Sequence, residues 1–114
     1  MTDTFTGTIN PLGTDSKNFT VTYTLGSNAS ITVNSLVTVA DQTPQSITIG
    51  VGFGYLNLGV CNVVITNPAA TLGAELTTTT SPFASGTFCM EVFDNTAAPT
   101  VTEPLTYNVT VKHY

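Results

Sequence analysis

The stretch Leu105–Lys112, "LTYNVTVK", decides the fold. Leu105, Tyr107, Val109 and Val111 alternate with Thr106, Asn108, Thr110 and Lys112. Side chains leave a β-strand on opposite faces in turn, so this pattern is one half-buried strand. The same period runs upstream. Phe19, Val21, Tyr23 and Leu25 alternate with Thr20, Thr22 and Thr24. In "SITIGVGF", Ile47, Ile49, Val51 and Phe53 share a face. Strands are predicted over 4–9, 17–25, 29–37, 46–53, 61–66, 74–79, 86–94 and 104–112. Turn signals separate them: Asn10 to Gly13, Gly26 to Asn28, Asp41 to Pro44, Asn67-Pro68, Ser81-Pro82 and Asp94 to Pro99. No segment carries a helical period with a cap. The expectation is an all-β fold in one domain, residues 1–114. It would be a two-sheet antiparallel β-sandwich, Ig-like or jelly-roll-like, of seven to eight strands. A closed barrel fits less well, because strand lengths vary and prolines interrupt often.

Composition excludes several functions. Hydrophobic residues make up 41% of the 114, enough for one continuous core. Charged residues are only 8%, and the chain is Thr-rich instead. Lys17 and Lys112 are the only permanent side-chain cations, and the net charge is −5. Nucleic-acid binding needs a cationic surface that displaces counterions, so no nucleic-acid partner is expected. Attraction to anionic membranes fails on the same ground. No apolar run approaches the roughly 20 residues of a membrane-spanning helix, so no membrane insertion is expected. Met1 to Asn10 is polar and does not read as a signal peptide. Two origins fit: an exported chain whose signal is removed, or one made without a signal, such as a virion protein.

Ser85–Asn95, "SGTFCMEVFDN", followed by "PLTYNVTVKHY", resembles the bacterial pre-peptidase C-terminal (PPC-like) sandwich domain. That family ends with a small-Gly-Thr turn, an alternating strand, a loop and a Tyr-containing last strand. Here those parts are Ser85-Gly86-Thr87, then Phe88, Met90 and Val92, then Asp94 to Glu103, then Tyr107, Val109 and Val111. "TFTGTINPLGTDSKNFTVTY" resembles the opening strands, and "SITIGVGFG" the central one. The likeness is greatest to a cysteine-bearing branch of secreted proteins, whose two cysteine positions Cys61 and Cys89 match. The central strand departs from the family's Asp-rich "DLDLY", so an acidic cation site is not carried over. The resemblance implies a non-catalytic accessory or interaction module on an exported protein.

Cys61 and Cys89 are the first candidates for chemistry. A zinc site wants about four ligands, and the chain offers two Cys and one His. A nucleophilic cysteine or a Ser-His-Asp arrangement would need His113, one residue from the end of the sequence. The favoured reading is a Cys61–Cys89 disulfide; two free buried thiols are the alternative. Closing a loop of about 29 residues stabilises by about 3.6 kcal/mol in the chain-entropy model. A disulfide also implies an oxidising compartment. Cys89 opposes the apolar face of Phe88, Met90 and Val92. It therefore staples the outer side of a sheet or lies under a loop, and Phe93 beside it favours the loop. Glu91 between them is expected in solvent.

"GVGFGYLNLG" lacks the following helix and the lysine of a phosphate loop, so no nucleotide or other cofactor is expected. It reads as a strand with Val51 and Phe53 on one face and bare glycine on the other. Such a face admits another backbone or an aromatic ring closely. It is also a candidate contact surface, formed by Gly50, Gly52, Gly54 and Tyr55. Most Asp and Glu residues fall in turns, where local backbone bonding is their ordinary role. Asp94 and Glu103 flank one loop and could hold calcium with backbone carbonyls, against a plain solvated loop. No catalytic and no metal-binding residue is therefore assigned. Three N-x-S/T sequons, at Asn18, Asn28 and Asn108, are read as chance matches. Tyr55, Phe83 and Tyr114 lie near turns or the end of the sequence and could anchor a partner. With no Trp, carbohydrate is the lesser expectation.

The reading that results is a non-catalytic extracellular module for binding or structural presentation, outside the cell or on a cell or particle surface. Its partner would be another protein or itself. The alternative is a self-assembling structural subunit, either an extracellular filament protomer or a virion decoration protein, paired through open strand edges.

Overall fold

The computed structural model describes residues 2–21, 28–79 and 86–112. Eight strands form: β1 (Thr2–Ile9), β2 (Thr14–Val21), β3 (Asn28–Thr38), β4 (Ile49–Asn57), β5 (Val60–Ala70), β6 (Glu75–Thr79), β7 (Gly86–Phe93) and β8 (Leu105–Lys112). Each predicted strand is present. The second half of the predicted 17–25 strand, past Val21, lies outside the described residues, as do Phe83, His113 and Tyr114. β5 runs through Asn67-Pro68, which was expected to be a turn. Proline has no N–H to give a ladder, but an edge strand with a bulge tolerates that loss.

One sheet has the order β1-β8-β3-β6, and the other has β2-β7-β4-β5. All pairings are antiparallel. Of the consecutive strands, only β4 and β5 are neighbours in one sheet. Every other connection crosses to the opposite sheet. This interleaving is the jelly-roll order. Among the described residues no helix is long and apolar enough to cross a membrane.

The alternation read from β8 is what packs the sandwich. Leu105, Tyr107, Val109 and Val111 are buried against the inner faces of β3, β4 and β7, including Val33, Phe53 and Met90. Phe19 meets Phe53 edge-on at 6.1 Å and Phe88 at 6.4 Å, geometries that aromatic quadrupoles favour. On β3 the inward series breaks. The register with β8 slips between Val33 and Ser35, and the bulged Asn34 restarts the series at Leu36. Its amide donates to Asn108 Oδ1 at 2.8 Å and to Thr110 Oγ1 at 2.7 Å.

One polar contact joins the sheets through the core. Tyr107 Oη on β8 donates to Asp15 Oδ2 on β2 at 2.6 Å. Gly7, opposite Tyr107 on β1, leaves the space for it, since a Cβ there would stand 2.6 Å from the hydroxyl.

Candidate functional site

β4 is buried on both faces from Ile49 to Gly54. Val51 and Phe53 point into the sandwich, and Gly50, Gly52 and Gly54 point outward. The chain itself covers that outer glycine face. The ring of Phe93, cross-strand from Gly50, lies directly on it. A Cβ at Gly52 would stand 2.6 Å from Val63 Cγ1, and one at Gly54 would fall inside the Asn62 carbonyl. This corrects the expected contact surface: no partner reaches Gly50, Gly52 or Gly54 in this fold. Both readings of such a face, close backbone and aromatic ring, are realised by the chain's own residues. Tyr55 belongs to the opposite face. It packs on Phe88 with ring centroids 5.2 Å apart and remains part-exposed.

The cover is β5. Its register with β4 shifts twice, between Ile49 and Val51 and between Phe53 and Gly54. Each shift adds one residue on β5, around Pro68-Ala69 and at Val64. A bulge bends and twists its strand, so β5 curls over the sheet instead of extending it. The disulfide shows how far. Cys61 on β5 bonds Cys89 on β7, with β4 between the two strands. Strands two apart in a flat sheet lie about 9–10 Å apart. Here the Cα atoms are 5.8 Å apart. The staple thus lies on the outer side of the sheet, under a crossing strand rather than a loop. Cys89 is completely buried.

The hairpin joining β4 to β5 is pinned across the sheet as a result. Its turn is Leu58-Gly59, with φ of 51° and 79° and Asn57 paired to Val60. Two central residues of positive φ make a type I′ turn. The tip overhangs the middle of the sheet, where Gly59, Val60 and Cys61 border a shallow depression of ≈ 340 Å³ with Thr14, Asp15, Ser16 and Glu91. A second, of ≈ 350 Å³, shares Thr14 and Glu91 and reaches Val63, Thr66 and Phe93. Glu91 is half-buried between them, not in open solvent as expected, and burial pushes its carboxyl up. The tip itself faces outward: Leu58 is 96% exposed, with exposed Val60 and Val64 beyond it.

Asp94 and Asp41 are occupied by structure. Asp94 is buried, and takes Leu12 N at 2.9 Å on one oxygen and Thr100 N at 3.0 Å and Val101 N at 3.3 Å on the other. Burial raises its pKa, but the three backbone donors outweigh that and hold it below the ordinary value. It therefore ties the β1–β2 turn to the loop before β8, and is not the solvated loop end considered from sequence. Glu103 is exposed. Asp41 accepts from the Thr38 hydroxyl, and from Thr43 N at 3.3 Å and Thr43 Oγ1 at 2.8 Å, bonds that lower its pKa. Among the described residues no group of three or more His, Cys, Asp or Glu could hold a metal ion. The sequon residues Asn18 and Asn108 lie on strands β2 and β8, while the side chain of Asn28 lies outside the described residues.

Sequence reasoning found the disulfide pair and the glycine strand separately. It missed that they are one feature: the glycines give β5 the room to cross, and the cysteines hold it there. It also missed the backbone bonds of Asp94 and the Tyr107–Asp15 bond, which no local pattern announces.

No family model matches the chain, and no curated protein matches it. Among solved structures, the crystal structure of a mitogen derived from Yersinia pseudotuberculosis is similar, with a TM-score of 0.59. The match covers 100% of this chain and 86% of that one at 15% sequence identity. Identity that low makes the likeness one of fold.

Proposed function

We propose that the chain is a non-catalytic module that binds a protein partner in an oxidising, extracellular setting, with the β4–β5 hairpin tip as its docking element. One observation carries this. Leu58 occupies a left-handed turn position and leaves its side chain 96% exposed. A non-Gly residue there costs about 1–2 kcal/mol, which is why Asn, Asp or Gly is usual. Folding gains nothing from leucine at that point. A binding role explains both its presence and the disulfide that keeps the tip in place. The non-catalytic reading is supported by the candidate groups themselves: both cysteines are spent on the disulfide, and Asp15, Asp41 and Asp94 on structural hydrogen bonds. The disulfide supports the oxidising compartment. An interaction role agrees with the fold shared with the mitogen and with the accessory role that the PPC-like resemblance implies.

The test is Leu58→Asn. The variant should be more stable by about 1 kcal/mol in denaturant melts, because Asn suits the turn. Immobilised beside the wild-type chain and offered cell-surface protein extracts, it should lose the partner that the wild type retains. Equal capture by both chains would reject the hairpin as the docking element.

A further inference from the structure

The two sheets present four edge strands: β1 and β6 in one, β2 and β5 in the other. An edge strand is a template for another strand unless something blunts it. β6 is only 5 residues long. β5 is bent by its two register shifts and carries Pro68, which has no N–H. β2 turns a half-buried ion pair, Asp15 and Lys17 at 3.9 Å, to the same side as buried Phe19. Inward-facing charge of that kind disfavours a further strand. β1 carries only one of these protections, the single charge of half-buried Asp3 near its start. It is 8 residues long, holds an unbroken register with β8 from Thr2 to Ile9, and contains no proline and no lysine. Among the described residues β8 is its only ladder neighbour.

We infer that β1 pairs with β1 of a second copy, antiparallel and about a two-fold axis, to make one continuous eight-stranded sheet. Self-complementarity selects the second copy as occupant. Opposed residues must share a face, so odd positions meet odd and even meet even. A two-fold at Phe5 sets Phe5 against Phe5, Thr4 against Thr6, Thr2 against Thr8 and Asp3 against Gly7. Aromatic pairs and Thr–Thr pairs each favour antiparallel strands, and no like charges stand directly opposite. The charged group nearest Gly7 is the Asp15 carboxylate, with Lys17 at 3.9 Å from it as its counter-ion. Moving the axis to Thr6 would set Asp3 against Ile9, which is completely buried. A C2 contact closes on itself, so this edge gives a dimer and not a fibre. The inference is independent of the hairpin reading, since the tip lies on the other sheet.

The test uses the outer, exposed Thr4 and Thr6. Light scattering after size exclusion should give twice the chain mass for the wild type at sub-millimolar concentration. Thr4→Lys with Thr6→Lys should weaken the dimer by about tenfold or more, with an unchanged circular dichroism spectrum showing that the fold persists. Thr4→Lys with Thr6→Glu should restore it, because residue 4 of one copy faces residue 6 of the other. A wild type that stays monomeric, or a dimer indifferent to the two lysines, overturns the pairing. A dimer that the lysines break and the Lys/Glu variant fails to restore overturns the Phe5-centred register.

Discussion

At the scale of single residues, Tyr107 shows how a polar group is kept in an apolar core. Its ring lies on the inward series of β8, and its hydroxyl is satisfied by Asp15 from the other sheet. Burial first, then the hydrogen bond and the negative charge of Asp15, push its pKa far above the ordinary tyrosine value. The native state therefore holds this proton where the unfolded chain would release it. That preference stabilises fully below pH of about 10 and is lost as pH rises past it. Denaturant midpoints measured from neutral pH to strong alkali should fall steeply above about pH 10. In Tyr107→Phe the alkaline fall should flatten, at a cost of about 1 kcal/mol at neutral pH. An unchanged alkaline slope in that variant would assign the loss to other groups.

At the scale of elements, β4 and β5 depend on each other. β5 can cross the outer face only because β4 presents no Cβ there, and its two bulges supply the bend. Gly54→Ala sets a methyl into the Asn62 carbonyl, a backbone atom that cannot rotate away. Overpacking of this sort costs about 1–3 kcal/mol or more. Gly59→Ala, at φ 79° with open space around it, pays only the conformational cost of about 1–2 kcal/mol. Urea denaturation of the two variants should rank Gly54→Ala as the more damaging. Gly54→Ala should also slow re-formation of the disulfide after reduction, because Cys61 no longer approaches Cys89. Gly59→Ala should leave that rate nearly unchanged.

At the scale of the whole molecule, the disulfide joins two strands that are not ladder partners and closes a loop of about 29 residues. The jelly-roll order puts most strand neighbours far apart in sequence, so loop closure opposes folding throughout. Removing the cross-link with Cys61→Ala and Cys89→Ala should cost about 3–4 kcal/mol by the chain-entropy argument. This is measured as the drop in unfolding free energy against the oxidised wild type. The drop is a large part of the 5–15 kcal/mol that a typical domain possesses. A loss below about 1 kcal/mol would mean that β5 stays in place by packing alone.

Much of this protein was legible in its sequence. Alternation in stretches such as "LTYNVTVK" determined the strands and their inward faces, because a period of two has one structural meaning. The strand count, the all-β class and the identity of the cysteine pair followed from local pattern and simple counting. The order of the strands did not, since a jelly roll and other sandwiches can use the same amphipathic pieces. Only the tertiary structure decided that β5 folds back over the glycine face, where the sequence allowed that face to be open to a partner. It also decided the half-burial of Glu91 and the places of Asp94 and Asp15, whose partners lie up to 92 positions away. A strand carries its own periodicity, but a carboxylate's role is set by whichever distant donors the fold brings to it.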